Sequence, residues 1–183
     1  MKGTQKDILL GLLAVVLTAG LIVGGYFLLF RTGRSVTSIG RQVWIDDPAP
    51  EFTLERYGDG QVSLTELKGH PLILNFFSVT CTTCQEELPA IVDFYRRHHA
   101  EVMFFAISTG DSRAAVAKFV EREGPEFPLL IDETGEVAAS YGITGVPETV
   151  FIDREGIIRH WIIGAANRTA LEEGLKKVLG EGS

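Results

Sequence analysis

The sequence predicts an α/β fold, a central mixed sheet flanked by helices, with one membrane-spanning helix at the N-terminus. Three observations carry this. From residue 72 onward, apolar runs of strand length alternate with stretches whose apolar residues recur at helical spacing, the pattern of strands covered by helices. Residues 149–152 and 157–163 are apolar runs on either side of Asp153-Arg154-Glu155-Gly156, the pattern of a hairpin. Residues 8–30 form an uninterrupted stretch of twenty-three uncharged residues. As a helix, this stretch is about 35 Å long, enough for a hydrocarbon core of roughly 30 Å.

In chain order, residues 1–7 are a short flank carrying Lys2, Lys6 and Asp7. Residues 8–30 are a signal anchor. A cleavable signal peptide has an apolar region of about 7 to 15 residues that ends in small residues, whereas this one runs through Tyr26, Phe27, Leu28, Leu29 and Phe30 to Arg31. Lys2 and Lys6 on one side face Arg31, Arg34 and Arg41 on the other, so charge alone does not choose an orientation. Gly20 and Gly24 make one small-xxx-small pair, a seam for a weak homodimer through this helix. Residues 31–47 are a polar tether ending in Asp47-Pro48-Ala49-Pro50, where the prolines favour extended backbone.

The folded domain occupies residues 48–183. Buried strands are expected at 72–77 (LILNFF), 102–107 and 127–131. Helices are marked by Leu88, Ile91, Val92 and Tyr95, then by Val116, Phe119 and Val120, and last by Leu171, Leu175, Val178 and Leu179. Strand and helix in alternation make a mostly parallel sheet covered on both faces, with the 149–163 hairpin antiparallel at one side.

Composition narrows the function. About 150 residues beyond the anchor suffice for one domain and one core, not for separate cofactor and substrate lobes. Hydrophobic content of 45% with 9% aromatics excludes a disordered chain. With the flank set aside, 15 basic residues stand against 23 acidic ones, so the domain does not hold nucleic acid by charge. Two cysteines are too few for a disulfide-stapled scaffold, and they stand three apart, at Cys81 and Cys84.

Cys81 directly follows the LILNFF strand and precedes an amphipathic helix, so it lies at a helix start. Unpaired amides and the positive end of the helix dipole favour a thiolate there. Lowering a thiol from about 8.5 to about 7 represents roughly 2 kcal/mol, within reach of one helix terminus and its hydrogen bonds. Cys84, one turn deeper, can reach Cys81 to close a small ring, so the pair can attack a disulfide, form a mixed disulfide and resolve it. A zinc site is the alternative for two cysteines at this spacing, but tetrahedral zinc wants four ligands. The candidates His98 and His99 are adjacent, which points them about 100 degrees apart on a helix. They read as solvated cations near a helix C-terminus.

Gly145-Val146-Pro147-Glu148 precedes the 149–152 strand. Proline in mid-sheet loses a ladder bond, so Pro147 belongs at the strand entrance, where a cis bond is admissible. With this motif, the LILNFF strand, Cys-x-x-Cys, Pro89, the Ala49-Pro50-Glu51-Phe52-Thr53-Leu54 opening and Val62-Ser63-Leu64, the chain resembles the thioredoxin superfamily. Within it the chain is most similar to the membrane-anchored TlpA/ResA-type proteins, which include thiol reductants of cytochrome c maturation.

The resemblance implies a thioredoxin-like fold, Cys81 as nucleophile, Cys84 as resolving thiol, and a cis Pro147 facing the pair. It implies a domain outside the cytoplasm that reduces disulfides of protein substrates and draws electrons from an upstream membrane thiol donor. The thiol pair carries the electrons, so neither cofactor nor metal is expected. Residues 111–132 look like the helix and strand this subgroup adds to the basic fold. Thr80 stands where the family usually has tryptophan, and Asn75 replaces the buried aspartate of ordinary thioredoxins. A carboxylate for proton transfer must then come from elsewhere. Glu87, three residues after Cys84, lies about 4.5 Å along the helix and some 60 degrees around it, on nearly the same face, and the resemblance implies a glutamate used at this spacing. Glu148, beside Pro147, is the second candidate, contributing negative potential near Cys81.

Two rival functions share the fold. A peroxiredoxin needs a threonine three residues before its cysteine, a proline four before that, and an arginine. Counting back from Cys81 gives Ser78 and Leu74, from Cys84 Cys81 and Phe77, and the strand-entrance position holds Glu148. A copper-delivery protein uses two cysteines and a distant histidine, for which the late candidate is His160, within an ordinary strand pattern.

Overall fold

The computed structural model describes residues 43–180. The flank, the expected anchor at 8–30, its dimer seam and most of the tether lie outside the described residues. Among those described, no helix is long and apolar enough to cross a membrane.

In chain order the elements are β1 (Thr53–Arg56), β2 (Gln61–Ser63), α1 (Leu64–Leu67), β3 (Leu72–Phe77), α2 (Thr82–His98), β4 (Met103–Thr109), α3 (Arg113–Glu123), β5 (Leu129–Asp132), α4 (Glu136–Tyr141), β6 (Glu148–Ile152), β7 (Ile158–Ile163) and α5 (Arg168–Leu179). They form one sheet in the order β2-β1-β5-β4-β3-β6-β7. The centre is parallel, β3 with β4 and β4 with β5. The expectation of a mostly parallel sheet with one antiparallel side is corrected: antiparallel pairs stand on both sides, β6 and β7 beyond β3, and β1 and β2 beyond β5. The strands of the second pair are short and mostly exposed, TLER and QVS, so they carry no apolar run to announce them.

β3 is buried at all six positions, because it is central and both faces are covered. Alternate side chains divide the core. Ile73 and Phe77 meet α2, α3 and α5 on one face, among Ile91, Phe94, Val116, Phe119, Leu171 and Leu175. Leu72, Leu74 and Phe76 meet Leu64, Leu67 and Tyr141 on the other. Burying each such phenylalanine contributes about 1.5–3 kcal/mol. The stretch at 111–132 becomes α3, capped by Ser112, and β5.

The last residues of the expected tether are bonded to the sheet: the Asp46 amide donates to the Ile158 carbonyl, the Ile158 amide to the Asp47 carbonyl, and Asp46 pairs with Arg159.

Candidate active site

Cys81 sits where β3 hands over to α2 and serves as the N-cap of that helix. Its Sγ accepts the Cys84 backbone N–H at 3.1 Å, satisfying one of the amide groups a helix start leaves without partners. The two cysteines form a disulfide with Cα atoms 5.2 Å apart. Their access differs: Cys81 is half-buried, and Cys84 is 2% exposed. A reagent in solvent therefore meets one sulfur of the pair.

Behind Cys84 lies a buried polar cluster. Glu87 is 4% exposed, on the face of α2 that also buries Cys84, Ile91 and Phe94. One carboxylate oxygen accepts from Asn75 Nδ2 at 3.0 Å and the other from the Ala166 backbone N–H at 2.7 Å. Asn75 Nδ2 also donates to Thr149 Oγ1 at 3.1 Å. Burial pushes the Glu87 carboxyl above its ordinary value, and the bonds from Ala166 and Asn75 offset only part of that. Exposed Glu86 has no place in this cluster. A cavity of about 10 Å³ lined by Asn75, Phe77, Cys84, Leu88, Ala106 and Phe127 joins Cys84 to Asn75 with space for about one water.

The Val146–Pro147 peptide is cis, as the resemblance implies, and Pro147 stands just before β6. The Val146 carbonyl oxygen lies 3.6 Å from Cys81 Sγ, so the proline loop and the thiol pair adjoin. Pro147 O accepts from the Gly164 N–H, fixing the loop against the end of β7. Glu148 is buried, but its side chain leaves the strand on the face opposite Thr149. There its carboxylate accepts from Trp161 Nε1 at 2.7 Å. The sheet thus separates the two candidate glutamates, Glu87 on the Cys84 face and Glu148 on the other.

The turn before Cys81 is held by a residue that sequence reasoning noticed only as the start of the added stretch. Buried Asp111, between β4 and α3, accepts from the Val79 N–H at 2.9 Å, Ser78 Oγ at 3.0 Å and Ser108 Oγ at 2.6 Å. An aspartate just before a helix reads as an end-of-helix residue, and only the pairing of β3 with β4 brings it beside Ser78. Thr149 and Ala166 were missed for the same reason. Thr149 meets Asn75 across 74 residues of chain, and Ala166 meets Glu87 across 79.

The histidines are elsewhere. Cys84 and His98 belong to the same continuous helix, so fourteen residues separate them by about 21 Å. His98 corrects the expectation of a solvated cation: its side chain is 16% exposed, its ring packs on Phe94, and Nε2 meets Glu172 at 3.2 Å. The reason is that α5 covers this end of α2. His99 is exposed, with Nδ1 near the Tyr95 and Arg96 carbonyls at the helix end. His160 packs on Phe151, four residues along β7 from Gly164 and so roughly 13 Å from the proline loop. Among the described residues, no cluster of three or more histidine, cysteine or acidic side chains could hold a metal ion.

A thioredoxin-like sheet with a Cys-x-x-Cys disulfide at a helix start beside a cis-proline loop defines a thiol-disulfide oxidoreductase. Comparison with known proteins agrees. The AhpC/TSA family matches residues 45–161. The thiol-disulfide oxidoreductase ResA of Bacillus thuringiensis subsp. konkukian (strain 97-27) is 30% identical over 155 residues, 84% of each chain. ResA of Geobacillus thermodenitrificans (strain NG80-2) is 28% identical over 97% of this chain and 99% of that one. Among solved structures, StoA from Bacillus subtilis superposes with TM-score 0.61 at 25% identity, covering 69% of this chain and 96% of that chain. A thioredoxin family thiol:disulfide interchange protein from Chlorobium tepidum TLS superposes with TM-score 0.65 at 26% identity, covering 75% and 99%. The chain belongs to the AhpC/TSA family and, within it, to the ResA/TlpA-type thioredoxin-like proteins.

Proposed function

We propose that this protein reduces disulfides of protein substrates outside the cytoplasm, held at the membrane by the 8–30 segment and recharged by an upstream membrane thiol donor. The observation that carries the reading is the asymmetry of the disulfide: Cys81 is reachable and Cys84 is sealed against the cluster around Glu87. In the dithiol form, the Cys81 thiolate attacks one sulfur of a substrate disulfide and releases the other as a thiolate, which takes up a proton. Cys84 then loses its proton and attacks Cys81, releasing the second substrate thiol and closing the Cys81–Cys84 bond. Two electrons pass to the substrate, and the donor returns them.

Glu87 is the acceptor for the Cys84 proton. Its carboxylate is raised by burial, which suits it to hold a proton while Cys84 reacts. The small cavity shared by Cys84 and Asn75 provides room for one water to carry the proton. Glu148, tied to Trp161, holds the entrance of β6 beside Pro147 and adds negative potential there. Pro147 shapes the backbone that faces the thiols.

The membrane placement rests on the sequence and on the Geobacillus relative, whose match over 97% of this chain includes the apolar segment. A ResA-like place in cytochrome c maturation would make an apocytochrome dithiol the product. Replacing Cys84 with serine in cells should freeze the mixed disulfide on Cys81. An extracytoplasmic cysteine-pair protein linked to Cys81 is the expected catch; a cytoplasmic partner would contradict the placement, and rapid turnover of hydrogen peroxide by the unmodified protein would contradict the reaction.

A further inference from the structure

We propose that Asp111 is the positioning residue of the Cys81 loop and that its fixed negative charge holds the dithiol toward the reducing side. The proposal deepens the functional reading and rests on Cys81 being the attacking thiol.

The hydrogen bonds around Asp111 have only one consistent direction. The Val79 backbone N–H and Ser108 Oγ both donate to Oδ2, and Ser78 Oγ donates to Oδ1. Ser78 has one hydroxyl proton, and an ionised aspartate only accepts. With that proton committed, Ser78 Oγ must accept from its other neighbours, the Thr80 N–H at 3.3 Å and Thr80 Oγ1 at 3.1 Å. The chain of donors therefore runs Thr80, Ser78, Asp111, every dipole turned toward the carboxylate. Gln85 Nε2 ties the same turn back to α2 through the Val79 carbonyl at 3.0 Å. Each of the three residues before Cys81 is thus fixed, two of them by a buried anion.

That carboxylate accepts from the amide of Val79, two residues before the nucleophile, and the chain from Val79 to Cys81 spans at most about 7 Å. Of the ionisable groups around this turn, Cys84 is bonded to Cys81 and Glu87 lies on the same face of α2, Glu86 on α2 is exposed, Glu148 is turned to the far face of the sheet, and Asp111 is bonded to the turn itself. The cation closest in sequence to Asp111, Arg113, is paired with Glu55. The turn before Cys81 thus carries a carboxylate through Ser78 and Val79, and the helix start is the opposing influence. Reducing the disulfide adds two electrons and places charge on Cys81, which a neighbouring anion disfavours. Asp111 thereby favours the disulfide over the dithiolate, the property of a stronger reductant. Thr80 also acquires a defined role: its hydroxyl proton is spent inward, leaving an oxygen acceptor on the rim of the site.

Asp111→Asn tests the charge without emptying the site. Its amide oxygen can take the Val79 and Ser108 donors, and its amide nitrogen can donate to Ser78, which then turns its proton to Thr80. In the full-length protein, with iodoacetamide as the probe, the expected result is a Cys81 alkylation half-point lowered by about half a pH unit, a threefold gain in thiolate at neutral pH. Equilibration with glutathione at a pH above the half-point should move about threefold toward the dithiol form. An unchanged half-point and unchanged equilibrium in a folded variant would overturn the proposal. Should that variant not fold, Ser108→Ala removes one compensating donor and must move the half-point upward; a half-point that stays put overturns the proposal equally. Preferential labelling of Cys84 instead would refute the reading of Cys81, a distinct outcome.

Discussion

Glu87→Gln separates proton handling from packing, since the two side chains have nearly the same shape. The carboxylate is buried and accepts two hydrogen bonds. Glutamine can still accept from the Ala166 amide, and Asn75 can turn its own amide to meet the new one. What is lost is the proposed base. A thiol with the ordinary pKa of about 8.5 is only about 3% thiolate at pH 7, so without an acceptor Cys84 attacks mainly through that small fraction. The closing step should therefore slow by about 10- to 30-fold at pH 7 and by less than about threefold at pH 9, where the thiol ionises unaided. The assay loads Cys81 of the reduced full-length protein with thionitrobenzoate and follows release of the coloured thiol as Cys84 displaces it. In the parent, the rate should rise through the raised Glu87 titration and then flatten; in the variant it should climb steadily with pH. Coincident profiles would refute the assignment and leave Glu87 as a buried packing carboxylate.

Two further outcomes test the frame that holds the site. A Cβ at Gly174 would stand 2.5 Å from atoms of the fully buried Phe151 ring, so Gly174→Ala sets an overpacking cost of about 1–3 kcal/mol against a helix-propensity gain of about 1 kcal/mol. Because the ring has nowhere to go, the net effect should be a thermal midpoint lower by several degrees, recovered by Phe151→Leu in the same chain; a raised midpoint would mean that propensity wins. Burial pushes the Asp153 carboxyl up, but the Ile157 and Glu155 amides and Arg159 outweigh it and hold it below its ordinary value. A lowered pKa contributes stability that is present above the unfolded value near 4 and lost as pH falls through the folded one. Urea titrations should accordingly show Asp153→Asn weaker by about 1–2 kcal/mol at pH 7 and level with the parent in strong acid; a gap that persists there would place the loss in the turn geometry instead.

The fold was legible where burial is continuous or periodic. β3 and the 149–163 hairpin are written as apolar runs, and α2 and α5 as helical repeats, because each presents a whole face to the core. β1, β2, α1 and α4 were not, since they are short and take their stability from neighbours, as α4 does from buried Asp132 capping Val137 and Ala138. For the site, the thiol pair and Glu87 follow from spacing along one helix, a local property. The partners that set their chemistry do not: Asn75, Thr149, Ala166 and Asp111 arrive from other elements, and strand register decides which of them point inward. Register also put Glu148 on the face away from Glu87, which adjacency to Pro147 could not reveal.

If Cys81 alone begins each exchange, its thiol must react far faster than that of Cys84. Brief alkylation of the fully reduced, full-length protein at neutral pH, followed by peptide mapping, measures it directly. Half-buried Cys81 at the start of α2 should be modified at least about tenfold faster than buried Cys84. Equal labelling of the two cysteines, or faster labelling of Cys84, would mean that Cys81 is not the sole attacking thiol.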